Sequence, residues 1–197
     1  CVETINTVLA RHGLPTITPA AYAEMFFFPV RDYYERLGFD FTKTPYEQIG
    51  TEFIELYRSR WLECGLQPDV HETLQALSDA GLAQSVLSAH EQSTLDWLVD
   101  HMGLRRYFVR CVGLNDHYAH GKVDSGRSWL RELGRSGKEV LLVGDTLHDA
   151  EVARALGIDC ILFTGGHNTP ERLAASGFPV IRSLVDVTRY VGLAGGR

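Results

Sequence analysis

Lysine is almost missing from this chain: Lys43, Lys122 and Lys138 are the only three. Arginine does not make up the deficit, because 25 acidic residues face 19 lysines and arginines and leave a formal charge of −6. No basic stripe of the kind that neutralises a phosphate backbone is present, which argues against nucleic acid as a partner. Long apolar runs are absent too. None approaches the roughly 20 residues needed to span a bilayer, and the start lacks the basic-then-apolar order of a signal peptide. The expectation is a soluble, cytoplasmic protein with no membrane partner. Cys1, Cys64, Cys111 and Cys160 are scattered, with no pair at metal-ligand or redox spacing, and read as reduced thiols. A Gly-x-Gly-x-x-Gly turn, a Walker-type phosphate loop and a Gly-x-Ser-x-Gly elbow are all missing. Their absence speaks against a dinucleotide-binding domain, a P-loop nucleotidase and a serine hydrolase.

What is there suits a folded enzyme-sized domain. With 45% hydrophobic and 10% aromatic residues, 197 residues can bury one core, or a core plus a smaller appendage. The first third reads as helical: Val2, Ile5, Val8 and Leu9 recur at helical spacing, as do Phe53, Leu56, Tyr57 and Trp61. Thr44-Pro45-Tyr46-Glu47 predicts a helix start with Thr44 as N-cap and Glu47 completing a capping box. That helix is expected to run to Cys64 and stop at Gly65. Gly13, Pro15, Pro19, Pro29 and Gly38 divide the earlier part into short helices, which bury their apolar faces best as a bundle.

From about Gln67 the rhythm changes to short apolar runs alternating with amphipathic helices, the pattern of βαβ units and a parallel sheet. Strands are expected at 84–87, 110–113, 140–143, 160–163 and 180–181, with helices around 70–80, 92–102, 125–133, 150–156, 170–175 and 185–191. The fold class is therefore α/β, a Rossmann-like parallel sheet core flanked by helices, with an α-helical bundle cap. Residues 1–65 form the cap and 66–197 the core.

Three places carry chemistry. Val140-Leu141-Leu142-Val143 runs into Gly144-Asp145 and then Asp149. Such a turn lies at the C-terminal edge of a parallel sheet, where open α/β folds bind ligands. Two hard carboxylates there suit Mg²⁺, although Asp149 read alone is also a helix cap. Ser88, Ala89 and His90 follow a strand and precede a helix, where a hydroxyl and backbone amides can hold phosphate oxygens. An ordinary N-cap serine is the competing reading. Lys122 closes a polar loop, His117 to Gly121, before a helix. Its ammonium could neutralise a transferring phosphoryl group, or it is a solvated surface lysine.

In chain order, strand-end Ser88, loop Lys122 and Gly144-Asp145-x-x-x-Asp149 resemble motifs two, three and four of the haloacid dehalogenase-like superfamily, close to its phosphoglycolate phosphatase-like branch. Glu151-Val152-Ala153-Arg154-Ala155-Leu156-Gly157-Ile158, Gly165-Gly166-His167 and Pro170-Glu171 are similar to that branch as well. So is Leu9-Ala10-Arg11-His12-Gly13-Leu14-Pro15, which looks like part of a four-helix cap. The resemblance implies a Mg²⁺-dependent phosphatase that hydrolyses a small-molecule phosphomonoester. In that scheme one aspartate attacks the phosphoester, and a second, two residues later, protonates the leaving group and then activates water. Ser88 would hydrogen-bond the phosphoryl group and Lys122 would orient and neutralise it. Asp145 would ligate Mg²⁺, with Asp149 as second ligand or water-mediated support.

The family's first motif, Asp-x-Asp-Gly-Thr at the end of a central strand, has no counterpart, because no two aspartates here are separated by one residue. The nucleophile and its strand are expected to lie upstream of Cys1; a chain truly lacking them would be inactive. Two other readings of the scaffold are a non-catalytic phosphate- and Mg²⁺-binding or regulatory protein, and a phosphosugar mutase. Substrate choice is expected to depend on the cap, where Met25-Phe26-Phe27-Phe28-Pro29 precedes Arg31. Arg31 is a candidate for an anionic substrate group, and an aromatic cluster filling the cap's own core is the alternative. The assembly is expected to be a monomer or homodimer.

Overall fold

The structure, a computed structural model, describes residues 1–114, 122–135 and 137–193, with the side chain of Lys122 outside that set. The chain divides into two compact units: Cys1–Gly65 with His167–Arg172, and Leu66–Gly166 with Leu173–Arg197.

The first unit holds helices α1 (Val2–Arg11), α2 (Pro19–Met25), α3 (Val30–Arg36) and α4 (Tyr46–Arg60). Ile5, Val8 and Leu9, at i, i+3 and i+4 on α1, are no more than 1% exposed and pack with Tyr22, Phe26, Tyr33, Tyr34 and Ile49. Phe53 and Leu56 of α4 close this cluster from the side. The predicted start of α4 is corrected by one residue. Pro45, with extended ψ of 144°, is its N-cap, and no side chain caps it. Thr44 therefore lies outside the helix, and Glu47 falls one position short of where a capping box needs it. The helix also ends earlier than expected, giving way to a 3₁₀ turn over Trp61–Glu63 and an extended Cys64. His167–Arg172 joins this unit although it sits late in the chain. Asn168 donates to the Phe26 carbonyl at 3.0 Å, and Arg172 donates to the carbonyls of Phe26 and Ala23 at 2.8 and 2.7 Å. These carbonyls end α2 and have no partner within a helix of that length.

The second unit alternates helix and strand: α5 (Val70–Asp79), β1 (Gln84–Glu91), α6 (Gln92–His101), β2 (Phe108–Leu114), α7 (Lys122–Leu133), β3 (Leu141–Gly144), α8 (Leu147–Leu156), β4 (Asp159–Phe163), α9 (Pro170–Ala174), β5 (Val180–Ile181) and α10 (Asp186–Tyr190). Every pairing is parallel, as the alternation requires. The strands form two sheets, β1-β2 and β3-β4-β5. Each has its own core. Leu95, Val99 and Cys111 serve the first; Ala150, Ala153, Cys160, Leu162 and Leu173 serve the second. Helix α7 packs on β1, β2 and α8, and so spans both. Its Gly126 fits between Leu87 of β1 and Leu156 of α8.

Among the described residues, β1 pairs only with β2 on one side and β3 only with β4. Their burial follows. Residues 160–162 of β4 are at most 1% exposed, whereas no residue of β1 or β3 is buried and Val143 is 42% exposed. No helix among the described residues is long and apolar enough to cross a membrane.

Candidate active site at the strand ends

The C-terminal ends of β3 and β4 lie level, Gly144 opposite Leu162. They open into a cleft of about 310 Å³ whose walls include Gln67, Gly144, Asp145, Phe163, Gly165 and Gly166. Asp145 is the first residue beyond β3 and, among the described residues, the one carboxylate in that wall.

The turn after β3 is built around Asp149. Thr146 is the N-cap of α8, and its hydroxyl oxygen accepts from the Asp149 N–H at 3.2 Å. In return Asp149 Oδ2 accepts from the N–H groups of Asp145 and Thr146, both at 3.0 Å, and from the Thr146 hydroxyl at 2.8 Å. This reciprocal capping box satisfies two orphan donors of the helix start. Asp149 is only 4% exposed. Its side chain lies so close to Gly144 that a Cβ there would sit 2.7 Å from Oδ2. Glycine is thus required at position 144 by space. The same holds across the cleft at Gly166, where an added Cβ would collide with the Asp145 carboxylate.

Ser88 lies inside β1, which extends past the predicted end to Glu91 with a register irregularity after Leu87. The cap of α6 is Glu91, whose carboxylate accepts from the N–H groups of Ser93 at 2.9 Å and Thr94 at 3.1 Å. The Ser93 hydroxyl, which donates to the same carboxylate at 2.6 Å, is the main cause, with those bonds, of the Glu91 carboxyl being held down at about 2. The helix-cap alternative for Ser88 is therefore replaced: its Oγ accepts from the His90 N–H at 3.1 Å instead. Ala89 is the strand residue between them, and burial of His90 lowers its imidazole below the ordinary value.

Lys122 begins α7, but its side chain and the 117–121 loop before it lie outside the described residues. Arg31, in the helical unit, is half-exposed, pairs with Glu35 at 3.1 Å and lies 4.9 Å from the Phe41 ring centre. Phe26 is buried in that unit's own core. His148 pairs with Glu151 at 3.2 Å, and His167 with the Tyr22 hydroxyl at 2.9 Å.

A larger hollow, about 470 Å³, lies along β2 and α6, but its charged groups are already in ion pairs, Arg110 with Glu132 at 3.6 Å. Arg105 binds Asp96 and Asp100, both at 2.8 Å, and Gln92 is spent on Asp96, the Cys111 carbonyl and the Gly113 N–H. The cleft at Asp145 is smaller but presents an acidic oxygen at a strand end, and chemistry favours it.

Among the described residues no three His, Cys, Asp or Glu side chains form a metal cluster. The Asp145 turn fits a hard cation that takes one or two carboxylates and completes its shell with water and phosphate oxygens. Sequence reasoning identified Asp145, which lines the cleft, and Asp149, which lies buried behind it, but not Gln67, Gly165 or Gly166 as parts of the cleft wall. A glycine pair one residue beyond the apolar run at 160–163 was the available signal for the last two. Gln67 offers none.

The family model for haloacid dehalogenase-like hydrolases matches residues 1–163. The phosphoglycolate phosphatase of Yersinia pseudotuberculosis is 30% identical over 148 residues, covering 72% of this chain and 63% of that protein. That of Vibrio parahaemolyticus is 28% identical over 133 residues, covering 66% and 54%. The chain thus spans little more than half the length of these curated relatives. A predicted phosphatase from Clostridium acetobutylicum superposes with a TM-score of 0.81 at 16% identity, covering 96% of this chain and 89% of the other. Identity that low speaks to fold alone. Strand order, strand-end acid and family match converge: the chain belongs to the haloacid dehalogenase-like hydrolase family, in its phosphoglycolate phosphatase-like branch.

Proposed function

We propose that this chain is the larger part of a phosphatase acting on a small-molecule phosphomonoester, with Mg²⁺ as cofactor and an aspartate nucleophile outside the chain. The observation that carries this reading is the Asp145 carboxylate, held in an open cleft at the end of a parallel strand by a turn that Asp149 braces from below. Bound there, Mg²⁺ would offset the repulsion between an attacking carboxylate and the phosphate. Ser88 supplies a hydroxyl to the phosphoryl oxygens and Lys122 an ammonium. Ala89 and His90 frame that end of β1. Asp149 supports the site through the turn. Residues 1–65 serve as a cap that governs access, with Arg31 available to an anionic part of the substrate. The half-exposed edges of β1 and β3 support the idea that a further parallel strand, carrying the paired aspartates, completes the sheet.

The test is hydrolysis of an aryl phosphate by the full-length natural protein, with and without Mg²⁺. Replacing Asp145 by Ala is expected to reduce turnover by roughly a hundredfold or more. Full Mg²⁺-dependent activity in that variant would overturn the assignment.

Two observations favour a second reading. No strand among the described residues joins β1 to β3, and no Asp-x-Asp occurs in the sequence. A protein built this way throughout would bind phosphate with Mg²⁺ and hydrolyse nothing. Calorimetric phosphate binding without turnover, in the full-length protein, would establish it.

A further inference from the structure

Gln67 stands just before the α/β unit's first helix, and Pro68 behind it restricts its backbone to extended conformations. Its side-chain Nε2 donates to the Gly165 carbonyl at 2.9 Å, across a long interval of sequence. Gly166, the next residue, lies against the Asp145 carboxylate with no room for a Cβ. Gln67, Gly165, Gly166 and Asp145 all line one cleft. A displacement of the Gly165-Gly166 backbone by even a few tenths of an ångström would open or close the space into which Asp145 turns its oxygens.

We infer that Gln67 is a positioning residue: by holding the Gly165 carbonyl it sets Gly166 against Asp145 and so fixes the direction of the carboxylate that would bind the cation. This rests on the proposed role of Asp145. The residue does not touch the reacting atoms. It acts through a two-residue turn, as outer partners of metal ligands do. Only a side chain with a donor at the right reach can serve, so Gln67→Lys should preserve the contact and Gln67→Glu, which has no N–H, should lose it as completely as Gln67→Ala.

The experiment measures binding of Mn²⁺ alone to the full-length protein, by calorimetry and electron paramagnetic resonance, for wild type, Asp145→Ala, Gln67→Ala, Gln67→Glu and Gln67→Lys. Thermal unfolding of each is followed in parallel. The expected result is that Asp145→Ala abolishes binding and that Gln67→Ala and Gln67→Glu each weaken it roughly tenfold. Gln67→Lys should bind within about threefold of wild type, and melting temperatures of the Gln67 variants should be unchanged, because the residue is exposed. Loss of Mn²⁺ in Asp145→Ala with wild-type affinity in Gln67→Ala would overturn the positioning role and leave the Asp145 reading intact. Equal Mn²⁺ affinity in Asp145→Ala and wild type would overturn both.

Discussion

Asp149 Oδ2 accepts the backbone N–H of Asp145 at 3.0 Å, so one carboxylate of the Gly-Asp-x-x-x-Asp turn is bonded to the residue that carries the other. The two acids do different work. Asp149 is buried and occupied with the turn, while Asp145 faces the cleft. Asp149→Ala leaves two backbone donors and a hydroxyl without their acceptor and is expected to cost about 2–4 kcal/mol in urea unfolding. Asp149→Asn keeps an acceptor oxygen and should cost less than half as much.

Gly166→Ala forces a methyl group onto the Asp145 carboxylate. The fold should survive with a small change in melting temperature, while divalent-cation affinity falls. A wild-type cation affinity would show that the carboxylate can turn away at no cost.

Gly126 bridges the two sheets, with an added Cβ lying 2.8 Å from Leu156 Cδ1 and 3.2 Å from Leu87 Cδ2. Gly126→Val should push α7 off one of them and destabilise by about 1–3 kcal/mol, read from chemical unfolding. A variant as stable as wild type would mean that α7 does not couple the sheets.

Burial lowers the His90 imidazole below its ordinary 6.5, so the folded protein resists a proton that the unfolded chain accepts. Stability from this residue is therefore complete above pH 6.5 and declines as pH falls toward the lowered folded value. His90→Gln should flatten the acid side of the melting-temperature profile in that window and leave the profile above it parallel to wild type.

Arg31 is held by an exposed pair with Glu35, a contact worth little on its own and readily given up to a ligand. Arg31→Ala is expected to raise the Michaelis constant for anionic phosphoesters several-fold with turnover unchanged. Identical Michaelis constants across such substrates would assign the residue to the helical unit's surface alone.

Much of the fold was legible because period and punctuation are local. The apolar runs at 140–143 and 160–163 became β3 and β4 within a residue, and the spacing of Ile5, Val8 and Leu9 gave the buried face of α1. The misreadings also have local causes. Pro45 rather than Thr44 caps α4, since proline takes the extended conformation of a cap without a side-chain bond. Glu91 rather than Ser88 caps α6, because β1 runs four residues past the expected strand end at Leu87.

By itself the sequence determined which residues were available: a Gly-Asp turn behind an apolar strand, a serine directly after another apolar run, a lysine before a helix, and no Asp-x-Asp. Those follow from short-range chemistry, in which neighbours along the chain suffice. Only the tertiary structure decided that Asp149 would be buried and Asp145 left facing the cleft, that Gln67 would reach Gly165, and that His167–Arg172 would finish a helix laid down near the start of the chain. Each of these depends on backbone groups brought together from distant positions, whose unpaired donors and carbonyls are satisfied only after the chain has folded.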